Sequence, residues 1–122
     1  MHELSIAYSL VETAVAAAQA NNIIKVDTVH MKLGQLSGVV KESLLFAYDI
    51  AAANTLLTGS TLAIQELPVV VNCSHCQQKR TLPNAQYLCC PVCETPTAEI
   101  IQGKEIELVS LSCREYDESA FA

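Results

Sequence analysis

Two Cys-x-x-Cys pairs, Cys73-Ser74-His75-Cys76 and Cys90-Pro91-Val92-Cys93, interrupt a 122-residue chain whose other segments alternate between helical and strand periodicity. Together these observations predict an α/β fold: a two-layer domain of a small sheet with two helices, plus an inserted zinc ribbon before the last strand. The expected division is residues 1–71 with 98–122 for the α/β domain and 72–97 for the ribbon.

The elements follow in chain order. From Leu4 to about Ala20 the apolar residues Leu4, Ala7, Tyr8, Val11, Ala14, Val15 and Ala18 recur at three- and four-residue steps, which predicts an amphipathic helix. Asn21-Asn22 closes it, because asparagine tolerates the left-handed conformation that ends many helices. Ile23 to Leu33 is rich in β-branched residues, and Val29, Met31 and Leu33 alternate with His30 and Lys32 as in a one-sided strand. His30 then faces away from the core and is expected to be solvated. Gly34 and Gly38 frame a turn, and Val40, Leu44, Ala47, Tyr48 and Ala51 mark one face of a second helix that closes near Asn54. Leu62 and Ile64 belong to a second strand ending at Pro68. Beyond the second cysteine pair, Thr97–Ile101 and Glu105–Cys113 read as strands joined by a hairpin at Gln102-Gly103-Lys104. The acidic tail from Arg114 to Ala122 is expected to fray.

Each Cys-x-x-Cys is a tight turn that presents two thiolates to one ion, and the thirteen residues between the pairs leave room for a short hairpin. One tetrahedral Zn(Cys)4 site held by Cys73, Cys76, Cys90 and Cys93 is the expectation. Disulfides are the alternative. The chain opens without a basic leader and apolar cleavage region and contains no membrane-spanning apolar stretch, so a reducing, cytoplasmic setting that favours metal is expected. Cys89 offers a competing register. Cys90 is preferred because it keeps the two-residue spacing and places Pro91 in the turn. Cys113 is read as a small core hydrophobe and His75 as a solvated loop residue.

An apolar fraction of 51% supports a core, but with 5% aromatic residues and no tryptophan that core must be built from Leu, Ile, Val and Ala. The formal net charge is −6, and four thiolates around Zn(II) would add two more negative charges. Nucleic-acid binding needs clustered Lys and Arg. Only Lys79-Arg80 lies near the ribbon, where it can partly offset the charge of the thiolates. A zinc-ribbon nucleic-acid or transcription accessory protein is therefore the secondary reading.

Three features in combination resemble the HypA/HybF family of nickel-insertion proteins for [NiFe] hydrogenase: the opening Met1-His2-Glu3-Leu4-Ser5, the passage Gly34-Gln35-Leu36-Ser37-Gly38-Val39, and the late paired cysteines. The resemblance covers essentially the whole chain. It implies a nickel metallochaperone that is not an enzyme, with Ni(II) transported at His2, Glu3 as a neighbour of that site, and structural Zn(II) at the four cysteines. It also implies two partners, a hydrogenase large-subunit precursor and a maturation GTPase, with no nucleic acid and no membrane.

Donor chemistry leads to the same place. The amine of Met1 and the backbone nitrogen and imidazole of His2 can form adjoining chelate rings, and planar nitrogen donors suit Ni(II) or Cu(II). A helix start sacrifices no intrahelical bond when such a nitrogen is metallated. The macrodipole opposes a cation there by only about 0.3 to 1 kcal/mol. By residue chemistry alone, Met1-His2-Glu3 is equally an ordinary helix start in which Glu3 favours the positive end. Two other functions are disfavoured. Thiol redox proteins place their Cys-x-x-Cys at a helix start, and a zinc hydrolase needs an open coordination position, which four cysteines do not leave.

Overall fold

The computed structural model describes residues 3–97 and 99–116, with the side chains of 114–116 undescribed. The N-terminal pair Met1 and His2 therefore lies outside the described residues, as do 117–122 of the expected tail. Helix α1 (Glu3–Ala20) is followed by β1 (Ile23–Gly34), α2 (Lys41–Ala52), β2 (Thr61–Leu67), β3 (Val70–Cys73), β4 (Gln78–Thr81), β5 (Ile100–Gln102) and β6 (Ile106–Tyr116). The strands form two three-stranded sheets, ordered β2-β1-β6 and β4-β3-β5. Two compact units result, one of residues 1–31, 39–64 and 108–122, the other of 32–38 and 65–107.

In the first unit α1 packs along α2. Ala7, Leu10, Val11, Ala14 and Ala18 of α1 and Leu44, Ala47, Tyr48 and Ala51 of α2 are buried, as are Val26, Val29 and Met31 of β1. The small residues let the helices approach closely, in keeping with a core that has few aromatics. Leu4 and Tyr8 lie outside this stripe, 44% and 47% exposed. Asn22 (φ 57°) ends α1 and Asn54 (φ 63°) stands just past α2, each in the left-handed region. Tyr48 is fully buried with its hydroxyl against Ser60 Oγ. Ser60 gives its own proton to the Leu57 carbonyl, so Tyr48 is the donor of that pair. Burial first, and Asp49 nearby, raise the Tyr48 phenol above its ordinary value, against the lowering effect of the Ser60 bond.

His30 is not simply solvated. Its Nε2 lies 2.7 Å from Ser112 Oγ on β6. Cys113, expected in the core, is exposed. It shares one face of β6 with Val109, itself 52% exposed, so that face of the strand is not covered by the core.

In the second unit β3 pairs antiparallel with both β4 and β5, with Cys73 opposite Gln78 and Val71 opposite Arg80 and Ile100. Its apolar cluster is Val69, Val71 and Leu82, with Leu36, Ala85 and Ile100 packed against it. The expected hairpin through Gly103 does not form, because β5 pairs with β3 while β6 joins the other sheet. Gly103 (φ 131°) turns the chain between them, its carbonyl accepting the Leu36 N–H at 2.6 Å. Gly34 is required by this crossing, since a Cβ there would run into the Gly103 carbonyl.

Candidate metal centre

Each cysteine pair sits at the tip of a short hairpin. Cys73 ends β3, residues 74–77 turn, and Gln78 begins β4. Around the second pair, Cys89 and Pro96 form an antiparallel bridge, the Cys90 N–H donates to the Thr95 carbonyl at 2.9 Å, and the Thr97 N–H donates to the Leu88 carbonyl at 2.9 Å. The connecting segment thus supplies one side of each hairpin, instead of forming a separate hairpin between the knuckles. The residue after each pair, Gln77 (φ 56°) and Glu94 (φ 63°), adopts the left-handed conformation. Nothing in the sequence announces this, because neither residue is a usual left-handed former. Backbone N–H groups of Cys76 and Val92 point at the sulfurs of Cys73 and Cys90, both at 3.4 Å. The two turns are joined through β3, where Thr97 Oγ1 donates to the Asn72 carbonyl at 2.8 Å and the Asn72 N–H donates to the Glu99 carbonyl at 2.9 Å.

These hairpins bring together Cys73, Cys76, Cys90 and Cys93, whose sulfurs all lie within 4.8 Å of one another. Cys73 Sγ is 3.5 Å from Cys93 Sγ, and Cys76 Sγ is 3.9 Å from Cys90 Sγ. A tetrahedral zinc–thiolate site with bonds of about 2.3 Å has sulfur–sulfur edges of about 3.8 Å, so the cage fits that ion. The same separations are far beyond a disulfide bond of about 2.05 Å, and all the cysteines are free. Cys89 and His75 are not members of this group.

The thiols divide their protons unequally. Cys90 is drawn down to about 6, first by the Cys93 backbone N–H, with the Val92 N–H and neighbouring thiols assisting against burial. Cys93 is lowered chiefly by the Thr95 hydroxyl, 3.1 Å from its sulfur, and by the Thr95 N–H. Arg80 pulls Cys76 down most strongly of any single neighbour, yet the thiol of Cys93, burial, and the thiols of Cys73 and Cys90 together push it up to about 11. The N–H donors aimed at the sulfurs of Cys73 and Cys90, and the lowered thiols of Cys90 and Cys93, suit a metal ligand set.

Of the N-terminal candidates only Glu3 is described. It opens α1, and its carboxylate accepts the Val40 N–H at 3.3 Å, just ahead of α2. Among the described residues no helix is long and apolar enough to cross a membrane.

A two-layer helix-and-sheet unit together with hairpins carrying four convergent thiols defines a metal-binding α/β protein of zinc-ribbon type. The family profile described as "Hydrogenase/urease nickel incorporation, metallochaperone, hypA" matches residues 1–113. A protein of Roseiflexus sp. (strain RS-1) named Hydrogenase maturation factor HypA is 48% identical over 111 residues, covering 91% of this chain and 90% of its own length. The factor of the same name from Chloroflexus aurantiacus is 44% identical over 111 residues, 91% of this chain and 97% of its own. The solution structure of the Ni metallochaperone HypA from Helicobacter pylori superposes with a TM-score of 0.65 at 29% identity, covering 93% of this chain and 97% of that one. The chain belongs to the HypA family of nickel-incorporation metallochaperones. Family membership places it in hydrogenase maturation and gives no support to a nucleic-acid accessory role.

Proposed function

We propose that this protein is a non-enzymatic cytoplasmic nickel carrier that takes up Ni(II) at its N-terminus and passes it to a hydrogenase large-subunit precursor, in cooperation with a maturation GTPase. The observation that carries this reading is the family match, which begins at residue 1 and takes in Met1-His2-Glu3 as well as both cysteine pairs. The Met1 amine, the backbone nitrogen of His2 and its imidazole are the nickel donors, with Glu3 beside them. Planar nitrogen ligation suits Ni(II), and an ion held at a chain terminus can be handed to an acceptor. Cys73, Cys76, Cys90 and Cys93 hold one Zn(II) as a structural ion. The thiolates fill its tetrahedron and leave no position for substrate. Residues 72–97 form the part that depends on this ion.

Equilibrium nickel binding on the untagged chain tests the reading against His2→Ala and against a chain extended by Gly-Ser ahead of Met1. Both changes should abolish tight nickel binding while leaving zinc content unchanged, because the extension converts the amine into an amide. Nickel should also leave in mild acid, as imidazole protonates near its reference value of about 6.5. Unaltered nickel affinity in the extended chain would exclude the amine as a ligand and end this mechanism.

A further inference from the structure

Past Val71 the regular pairing of β3 with β5 stops, and Asn72, the residue before Cys73, meets the chain leaving the second cysteine hairpin. Its N–H donates to the Glu99 carbonyl at 2.9 Å and its Nδ2 to Glu99 Oε2 at 3.0 Å. Its carbonyl accepts the hydroxyl of Thr97 at 2.8 Å, where a regular ladder would supply a backbone N–H. Thr97 is half-buried, and its own N–H donates to the Leu88 carbonyl at 2.9 Å, just outside the Cys89–Pro96 bridge. Its Oγ1 also accepts the Glu99 N–H at 3.4 Å, so the hydroxyl serves as donor and acceptor together. Thr97 thus holds the base of the second hairpin with its backbone and the end of β3 with its side chain. Backbone pairing tolerates most side chains, whereas this link exists only with a hydroxyl at position 97.

We propose that Thr97 is a positioning residue of the four-cysteine site, a hydroxyl latch that fixes the two cysteine hairpins against each other and thereby raises the affinity for the zinc ion. This rests on the reading that the four cysteines hold zinc. Each hairpin gathers its own two sulfurs through its turn, so what remains to be fixed is the placement of one pair against the other. Cys73 follows Asn72 directly, and the Cys93 sulfur that it meets at 3.5 Å comes from the hairpin that Thr97 closes. Ordering the two pairs before the ion arrives removes part of the conformational entropy that binding would otherwise cost.

The test uses the full chain in three forms: unaltered, Thr97→Val, which keeps the branched shape without the hydroxyl, and Thr97→Ser, which keeps the hydroxyl without the methyl. Zinc affinity is measured at one pH by competition with the chromogenic chelator 4-(2-pyridylazo)resorcinol. Affinity should fall about three- to tenfold in Thr97→Val, the scale of one net hydrogen bond, and stay within about twofold of the unaltered chain in Thr97→Ser. Rescue by serine separates the hydroxyl from the packing of the side chain. Urea unfolding followed by helical circular dichroism should keep the same midpoint in all three, because Thr97 belongs to the unit without the helices. Undiminished affinity in Thr97→Val, or an equal loss in Thr97→Ser, would overturn the proposal, as would a lowered midpoint, which would make the loss a general destabilisation. If Thr97→Val cannot be loaded with zinc, Thr97→Ser decides, and weakened binding there refutes the role of the hydroxyl. Failure of the unaltered chain to retain one zinc through these cysteines would instead bring down the zinc reading, and this proposal with it.

Discussion

The largest side chains less than 2% exposed in the first unit are Tyr48, Met31, Leu44, Leu57, Val26 and Val29, drawn from α2, β1 and the loop after α2; in the second unit they are Val69, Val71 and the thiols of Cys73 and Cys90. Half of these side chains in the second unit are therefore thiols of the four-cysteine cluster. Apolar burial contributes about 25 cal/mol per Å², and a cluster of Val69, Val71 and Leu82 with three partial neighbours offers little of it. A structural zinc ion supplies folding free energy of about 10 kcal/mol or more in small modules. On the proposed zinc reading, one unit is ordered by burying hydrocarbon and the other would be ordered chiefly by ligating an ion, so the two should respond to different insults.

The largest expected effect comes from removing the ion. Chelation, or Cys90→Ser, should disorder the cysteine hairpins while the far-ultraviolet helical signal of α1 and α2 persists, because neither helix supplies a thiol. Collapse of that signal together with zinc loss would show one cooperative structure and dissolve the contrast.

Leu44→Ala sharpens the comparison from the other side. Leu44 is fully buried, and its truncation should cost about 2–5 kcal/mol in urea unfolding followed by helical circular dichroism. Zinc release to a chelator should be unchanged. Faster release in this variant would mean that the hydrocarbon core also supports the metal cage.

The smallest effect is expected at the two cysteines outside the cage. Cys89→Ser and Cys113→Ser should each leave zinc content at one per chain and change stability by no more than about 0.5 kcal/mol. Metal loss from Cys89→Ser would show that the ligand register had been misassigned.

What was legible in the sequence was local. Helical spacing marked α1 and α2 to within a few residues, and strand alternation at Val29, Met31 and Leu33 gave the buried face of β1. Cys-x-x-Cys spacing implied convergence of four thiols, since a two-residue gap already brings both sulfurs of a pair to one side of a turn. The non-local features were not legible. Gln102-Gly103-Lys104 has hairpin chemistry, yet the strand after it takes its partner from the far end of the chain. Gly34 reads as a turn residue, but its missing side chain makes room for the Gly103 carbonyl, a contact between residues distant in sequence. Cys113 lies in an apolar run that suggests burial, yet it shares with Val109 a strand face that the core leaves exposed. Arg80 reads as a diffuse surface charge, because nothing short of the β3–β4 register places it opposite Val71.

The central place of β1 between β2 and β6 has a consequence for the order of events on the ribosome. β6 begins at Ile106, after every cysteine of the cage has been synthesised, and His30 waits 82 residues for Ser112. A nascent chain therefore has all four thiols in hand before the helical unit can complete its sheet, so metal capture need not await the finished fold.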